Sequence, residues 1–448
     1  MTDVAQGSPG RRGSGKRPAS GKSIKAAPVN IRAAVESRLA MRHKAERRFR
    51  NTGLAAIVLA LAFLIVLLGS IIAQGYTAFW SHSISAPITV DSAKVDARDL
   101  AGANYHMLVA AALLQKVGAP DDELGDNAAA MKELISTDVA HELQEQLEAD
   151  PALIGKTVTV NGHLSDDADL YLKGEVTRSV PEAERKLTDQ QLDWIDKLKA
   201  QGVVSGAFNS QLLTASDSTE PEQAGLLGAI IGSALTLLVT GLLAVPIGVM
   251  AAVYLEEFSP KNRMTDFIEV NINNLAAVPS IVYGLLGLAL FINWMGLARS
   301  SPMVGGLVLA LMALPTVIIA TRSSLKAVPP SIREAALGMG ASRTQTVFHH
   351  VLPLAMPGIM TGTILAMAHA LGETAPLLMI GMVSFVPGVP EGFNGAATVL
   401  PVQIFIWENA SERAFHERTA AAIIVLLVFM IIMNLAAIIL RRRFERRW

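Results

Sequence analysis

A histidine and a glutamate lie four residues apart within an apolar run of the chain. His369 and Glu373, followed by Thr374, fall inside the hydrophobic stretch 358–382. An ionisable side chain is costly in hydrocarbon, so such a pair is a candidate for a functional role. Four residues make about one helical turn, which would place both side chains on one face and let an imidazolium neutralise the carboxylate. We therefore predict that His369, Glu373 and Thr374 line or gate a pathway; a structural polar pair between packed helices is the alternative.

A second candidate is a short polar stretch between two apolar runs. Pro329 and Pro330 would end the preceding helix, and Ser331 with Glu334 has the spacing of a capping box that starts a new one. Small side chains then recur at helical spacing, so one face of this helix could dock closely in the groove of a soluble motor protein. An ordinary capped helix in a loop is the alternative. The residues assigned to this docking surface are Ser331, Glu334, Ala335, Ala336, Met339, Gly340 and Arg343.

The elements around these two stretches are apolar and long enough to cross a membrane. The chain has 448 residues, of which 51% are hydrophobic and 17% charged, against roughly 25% charged in soluble domains. A helix needs about 20 apolar residues to cross about 30 Å of hydrocarbon. The sequence therefore predicts an all-α polytopic transmembrane protein with about six spans, at 54–73, 226–250, 275–295, 304–320, 358–382 and 420–440.

The charges are sorted along the chain in a way that predicts its orientation. Residues 1–50 carry 13 Lys and Arg against 3 Asp and Glu, whereas residues 81–223 carry 11 against 25. Basic residues close to span ends stay in the cytoplasm, and six alternating spans place all the basic clusters on one side. Both termini are therefore expected in the cytoplasm. A polar stretch of about 50 residues before the first run argues against a cleavable signal peptide and for a retained anchor.

The acidic part of the chain is expected to be a soluble domain outside the cytoplasm. Helical spacing over 105–117 and 128–147, with alternating apolar residues at 157–160 and 170–172, predicts a small α+β domain. Asp166, Asp167 and Asp169 are predicted to form a solvated turn, because the glycine and distant glutamate of a calcium loop do not follow them. The full division is a basic, partly disordered cytoplasmic tail at 1–50, a first transmembrane helix at 51–79, the extracytoplasmic domain at 80–223, and a transmembrane domain at 224–448 with a cytoplasmic helix at 331–353.

Other residues that could carry chemistry do not form a coherent site. The sequence contains no cysteine, which excludes disulfides and thiolate metal sites. Gly10, Gly15 and Lys16 have the spacing of a phosphate-binding loop, but Arg17 stands where that loop needs Ser or Thr. We therefore expect ATP hydrolysis on a separate chain, and neither enzymatic activity nor a cofactor or metal in this one. The basic tail beside a membrane span is expected to contact lipid rather than nucleic acid.

The docking stretch resembles the EAA loop of bacterial ABC import permeases. Glu334, Ala335, Ala336, Gly340 and the later Leu352–Pro353 pair match that loop in spacing, although His350 stands where an aliphatic residue is usual. The resemblance implies the ABC type I importer permease fold, with the helix at 331–353 coupling the spans to an ATPase dimer. That dimer would bind ATP and Mg. A second permease subunit would complete the pathway.

The stretch that contains Glu373 resembles phosphate importer permeases of the PstA type. Gly372, Glu373, Thr374, Ala375 and Pro376 match the family signature, and residues 397–404 look like the same family. His369 stands where the family often has arginine, so this basic group would be titratable near neutral pH. The resemblance implies a multi-pass protein of the bacterial cell inner membrane with PstC-like permease, PstB-like ATPase and PstS-like phosphate-binding partners.

Three other functions remain open at this point. An ABC permease for another oxyanion or small solute would share the docking stretch but not the signature at 372–376. A membrane-anchored sensor would use the acidic domain to bind ligand, and it would need a cytoplasmic signalling module. A proton-coupled secondary transporter built around His369 and Glu373 would not explain the docking stretch.

Overall fold

The computed structural model describes residues 31–92, 95, 99–100, 102–118 and 124–444. Residues 1–30 of the predicted cytoplasmic tail lie outside these ranges. The chain divides into two compact units, Met1–Leu67 and Leu68–Trp448. Helix α1 (Ile31–Gly75) makes up the described part of the first unit and ends in the second. All further elements belong to the second unit.

The described residues of 76–226, called the inserted segment below, fold around an antiparallel sheet with the strand order β2-β1-β3. Ile84 of the central strand lies opposite Gly162 on one side and Val204 on the other. The alternating side chains Ile84, Ala86 and Ile88 are buried in a core shared with the surrounding helices. The elements are β1 (Trp80–Thr89), α2 (Tyr105–Val117), α3 (Leu124–Lys132), α4 (Thr137–Ala149), β2 (Thr157–His163), α5 (Asp166–Lys173), α6 (Asp189–Ala200), β3 (Val204–Phe208) and α7 (Gln211–Thr214).

Two of the five local predictions in this segment are confirmed as made. The helix at 105–117 is α2, and the strand at 157–160 is part of β2. The helix predicted at 128–147 is two helices, α3 and α4. The strand predicted at 170–172 and the turn predicted at 166–169 are both wrong, because these residues form α5. Acidic side chains favour the positive end of a helix dipole, and Gly174 ends the helix in the left-handed conformation.

The transmembrane part contains helices of spanning length that are connected by short elements. Among the described residues, five helices are long and apolar enough to cross a membrane, or six if one bent pair counts as a span. The elements are α8 (Leu227–Val253), α9 (Arg263–Ala276), α10 (Ser280–Gly287), α11 (Pro302–Lys326), α12 (Pro330–Gly338), α13 (Arg343–Gln345), α14 (Leu352–Gly372), α15 (Ala375–Met379), α16 (Leu400–Glu408) and α17 (Ala414–Phe444).

Within the described residues, three of the long helical stretches contain π turns, which hold one residue more than an α-helical turn. Helix α8 continues into the π turn Tyr254–Phe258, and α10 continues into Leu288–Trp294. The π turn Thr346–Val351 joins α13 to α14, so that Arg343–Gly372 is one continuous helical stretch.

Two predicted spans are not continuous helices. The span at 275–295 begins in α9, which is bent by 100° relative to the stretch Ser280–Trp294. Pro279 lies at the bend, where it disfavours helical geometry in the preceding residue. The span at 358–382 is interrupted because α14 ends at Gly372 and α15 begins at Ala375. Pro376 has no backbone N–H and cannot continue a helix that would pair it with residue 372.

Small residues bring the spanning helices close together. A Cβ atom added at Gly362 would lie 2.2 Å from the Cβ atom of Ala320 on α11, so only glycine permits this approach. Gly358 has the same relation to Ser324, one turn away. The stretch 397–404 enters helix α16 at Leu400, and Gln403 is fully buried.

Candidate functional site

The predicted docking stretch forms a short helix, α12, that differs from the prediction at both ends. Pro330 is its first residue, and Pro329 precedes it without a side-chain cap. Ser331 therefore lies inside the helix, and the predicted capping box with Glu334 is wrong. At the other end Gly340 has a φ angle of 89°, which glycine adopts readily and which ends the helix. The single helix predicted at 331–353 is thus α12, a turn, and the start of a second helical stretch.

Most of the predicted docking residues are open to solvent. Ser331, Glu334, Ala335, Gly340 and Arg343 are exposed, and the same holds for Met339, whose exposed fraction is 78%. Ala336 is the exception, since it is 2% exposed and packs into this chain. Ser331, Glu334 and Ala335 therefore contribute to the exposed surface of α12, and Ala336 belongs to its buried side. Met339 and Gly340 follow the helix, and Arg343 begins α13.

Arg333, which the sequence analysis did not select, fixes α12 to two other helices. Its Nη2 atom donates to Oε1 of Glu257 at 2.6 Å, and Nε lies 3.2 Å from both carboxylate oxygens. The guanidinium also donates to the backbone carbonyls of Leu325 and Val328, at 2.9 and 2.8 Å. Glu257 belongs to the π turn after α8 and is 8% exposed, whereas the two carbonyls lie at the end of α11 and just beyond it.

A second arginine connects neighbouring elements in the same region. Arg322 of α11 donates from Nε and Nη2 to Glu256 at 3.3 Å, and it also pairs with Glu269 of α9. Lys326 lies 3.6 Å from Glu256. We call Arg322, Arg333, Glu256, Glu257 and Glu269 the α12 junction, since together they join α8, α9, α11 and α12.

A sequence signal for the α12 junction existed but was incomplete. Glu256 and Glu257 directly follow an apolar run, where adjacent carboxylates need partners. The matching arginines are 66 and 76 residues further along the chain. A local pattern could therefore identify the glutamates of the α12 junction but could not identify the arginines that pair with them.

His369 and Glu373 come together as predicted, but Glu373 is not on the same helix. The distance between His369 Nε2 and Glu373 Oε1 is 3.2 Å. Glu373 directly follows α14, with a ψ angle of 125° that is not helical, and Thr374 precedes α15. The side chain of His369 is 67% exposed and that of Glu373 is 18% exposed. The pair therefore lies at a break between two helices, with the histidine open and the carboxylate largely covered.

The region that contains both sites matches a known family. Residues 244–448 match the family described as binding-protein-dependent transport system inner membrane component, and residues 36–182 match DUF3333, a domain of unknown function. A stretch of 223 residues, 49% of this chain, is 36% identical to a Mycobacterium tuberculosis (strain CDC 1551 / Oshkosh) protein and covers 72% of it. The chain therefore belongs to the family of binding-protein-dependent transport permeases of the inner membrane, and it is a multi-pass membrane protein.

The individual relatives include phosphate permeases. The Mycobacterium tuberculosis protein is named phosphate transport system permease protein PstA 1. The probable ABC transporter permease protein YqgI of Bacillus subtilis (strain 168) is 37% identical over 169 residues, which are 38% of this chain and 57% of that protein. The chain thus spans a little over half the length of YqgI.

Among solved structures, the MetNI methionine ABC transporter in an inward-facing conformation aligns with a TM-score of 0.40 and 16% identity, over 49% of this chain and 96% of the other.

Proposed function

We propose that this chain is a permease subunit of an ATP-driven importer of inorganic phosphate. The observation that carries the proposal is the 36% identity to PstA 1 over a stretch that covers 72% of that protein. The stretch Gly372–Pro376, which resembles the PstA signature, lies at the break between α14 and α15 and contains the carboxylate that pairs with His369.

The proposed complex has four kinds of partner around this chain. A second, PstC-like permease would complete the pathway, and a dimer of PstB-like ATPases would bind ATP and Mg on the cytoplasmic side. A PstS-like protein would deliver phosphate from outside, and membrane lipid would surround the spans. Both termini would lie in the cytoplasm and the domain at 80–223 outside, as basic residues near span ends predict. The transmembrane domain at 224–448 would have the type I importer fold.

The α12 junction supports a coupling role for α12. The exposed surface of α12 is available to a partner, while its buried side is tied to α8 and α11 through Arg333. A displacement of α12 would therefore be transmitted to the ends of two spanning helices, because the arginine contacts all three elements. ATP binding would close the ATPase pair, move α12 and switch the pathway between its inward and outward openings.

The break at Glu373 supports a role in the pathway. Glu373 lies between two helix ends, and its backbone N–H donates to the carbonyl of Ala370 at 3.3 Å. A carboxylate in this position can change its partner with small backbone movements, because its own residue is not inside either helix. The open imidazole of His369 faces it, and the Thr374 carbonyl accepts hydrogen bonds from the backbone of Leu377 and Leu378. We propose that His369, Glu373 and Thr374 act together in passage or gating, as a polar group within apolar spans.

Uptake of labelled phosphate tests this function. Membrane vesicles should contain this chain with its permease, ATPase and binding-protein partners. We expect uptake to require ATP hydrolysis and to be unaffected by excess sulfate. Competition by sulfate would favour the permease for another oxyanion, and uptake that persists without ATP but collapses with the proton gradient would favour a secondary transporter.

The Glu373→Gln variant tests the site. Phosphate uptake should fall strongly while the assembled complex still purifies with its ATPase, because the change removes the charge but keeps the shape. Glu391→Gln is the matched control, since Glu391 is an exposed carboxylate in the following loop. Near-normal uptake by Glu373→Gln would reject the proposed role.

A further inference from the structure

The first two turns of α17 hold the inserted segment at its entry, in its body and at its exit. The residues of α17 involved are Glu417, Arg418, Ala420 and Ala421. Together with Gly75, Asp169 and Lys173 they are called the α17 junction below. Its three contacts involve parts of the chain that are far apart in sequence, so each can be examined separately.

The entry contact is a close approach of backbones. Gly75, the last residue of α1, lies against the backbone of Ala420 and Ala421. A Cβ atom added at Gly75 would lie 2.7 Å from both the carbonyl carbon of Ala420 and the nitrogen of Ala421. Any larger residue would push the start of the inserted segment away from α17, so glycine is required by this packing.

The body contact is a buried ionic network. Lys173 of α5 lies with its Nζ atom 2.8 Å from Glu417 Oε1 and 2.8 Å from Asp169 Oδ2. The side chains of all three are at most 13% exposed. Asp169 also accepts hydrogen bonds from the backbone nitrogen and Nδ1 of His82 on β1, at 2.9 and 2.8 Å. The network therefore connects the central strand of the sheet, through α5, to α17.

The exit contact is made by a buried arginine. Arg418 is 6% exposed, and its Nη1 atom donates to the carbonyl of Ala224 at 2.6 Å. Ala224 lies three residues before α8 begins. The charge of Arg418 also interacts with Glu417, Glu222 and Asp169. The end of the inserted segment is therefore fixed to the same turn of α17 as its body.

We propose that the inserted segment and the first two turns of α17 move as one body, with Lys173 as the positioning residue that holds the body of the segment to the helix. The three contacts fix the entry, the body and the exit of the segment to the same two turns of α17. A partner that binds the inserted segment would then act directly on the last spanning helix. This inference goes beyond the proposed function and does not depend on which solute is transported.

Distance measurements between pairs of spin labels test the proposal. The sequence contains no cysteine, so labels can be attached to introduced cysteines without background. One pair, Lys199→Cys with Arg413→Cys, reports on the segment relative to the start of α17. A second pair, Lys199→Cys with Glu145→Cys, reports on the segment itself. All three positions are exposed. The full complex should be used, with and without ATP.

We expect the first pair to give a distribution as narrow as the second, in both nucleotide states. Lys173→Met should broaden the first distribution, because it leaves Glu417 and Asp169 buried together without their cation, and should leave the second unchanged. Glu417→Gln should broaden the first distribution less, since Lys173 still pairs with Asp169. If the Lys173→Met complex does not assemble, the Glu417→Gln variant provides the test.

Lys186→Met is the matched control, because Lys186 is also on the inserted segment but its side chain is 60% exposed in its pair with Asp167. It should leave both distributions unchanged. A broad first distribution in the parent protein would overturn the proposal, and so would a distribution that neither Lys173→Met nor Glu417→Gln alters.

Discussion

The α12 junction and the α17 junction use the same kind of contact for different purposes. Each places a cation among carboxylates that are largely shielded from solvent, where both charges depend on each other. Arg333 belongs to a helix whose opposite surface is exposed, so the α12 junction leaves a surface on which a partner can act. Lys173 is only 8% exposed, and the α17 junction joins two parts of the same chain. In the two proposals, the first junction transmits a movement imposed by a partner, and the second keeps the inserted segment and α17 from moving relative to each other.

Removing Arg333 should have the largest effect on this comparison. Arg333→Met leaves Glu257 buried without its partner, and breaking such a pair typically costs about 3–5 kcal/mol. We expect a lower unfolding temperature and loss of ATPase co-purification, measured on the detergent-solubilised complex. The double variant Arg333→Met with Glu257→Gln should recover part of the stability, because no unpaired buried charge remains. Lys261→Met at an exposed position is the control. Full ATPase binding by Arg333→Met would contradict a coupling role for the α12 junction.

The second prediction concerns the pH dependence of stability at Glu222, which lies near the α17 junction. Burial raises the pKa of Glu222 to about 7, above about 4.3 in an unfolded chain. The folded state therefore holds its proton more tightly, so its contribution to stability is complete below about pH 4 and is lost as the pH rises through about 7. Glu222→Gln should raise stability relative to the parent by up to about 4 kcal/mol at pH 8 and by little at pH 4.

Thermal unfolding at several pH values measures this difference. The control is Glu175→Gln, at an exposed glutamate of the same segment. An equal effect of Glu222→Gln at both pH values would show that the carboxyl group does not titrate in this range, and the α17 junction would then lack a pH-dependent neighbour.

Substitutions at two adjacent alanines of α12 should distinguish a role in ATPase docking from a role in packing within this chain. Ala335 is exposed and Ala336 is buried, so the same substitution tests two surfaces. Ala336→Trp should cost about 1–3 kcal/mol through overpacking, detected as a lower unfolding temperature. Ala335→Trp should leave the unfolding temperature unchanged but reduce ATPase co-purification. If both variants behave alike, the exposed surface of α12 is not a docking surface.

The smallest effect on stability is expected for the His369–Glu373 pair, at the break between α14 and α15. The side chain of His369 is 67% exposed, and exposed ion pairs contribute about 0–1 kcal/mol. His369→Met should therefore leave the unfolding temperature unchanged, whereas phosphate uptake should fall because Glu373 loses its partner. His416→Met, at another exposed histidine that lies 3.7 Å from a carboxylate, is the control. Normal phosphate uptake by His369→Met would separate His369 from transport.

Much of the spanning architecture could be predicted from the sequence because hydrophobic length is a local property. Helix α2 and the α12 region were also predictable from their spacing. The two interrupted spans were missed although Pro279 and Pro376 mark both interruptions, because a hydrophobicity window averages over a single proline. The error in α5 has a similar origin, since three alternating residues were too few to distinguish a strand from a helix.

The ionic junctions could not be predicted in the same way. His369 and Glu373 are four residues apart, and their proximity was predicted although their backbone was not. Arg333 and Glu257 are 76 residues apart, and Lys173 and Glu417 are 244 apart. A single sequence contains no pattern that pairs residues at such distances, because the fold alone brings them together. The acidic composition of the inserted segment therefore gave no indication that some of its carboxylates form buried ion pairs with basic side chains.

The π turn at the end of α8 has a consequence for the length of that helix. Glu256 and Glu257 both lie within Tyr254–Phe258, where one extra residue offsets the following side chains by about 100° relative to a straight α-helix. Deleting one residue of this turn would leave every apolar side chain of α8 in place and still rotate the carboxylates away from their arginines. The number of residues in this spanning helix is therefore as important for the link to α12 as the charges themselves.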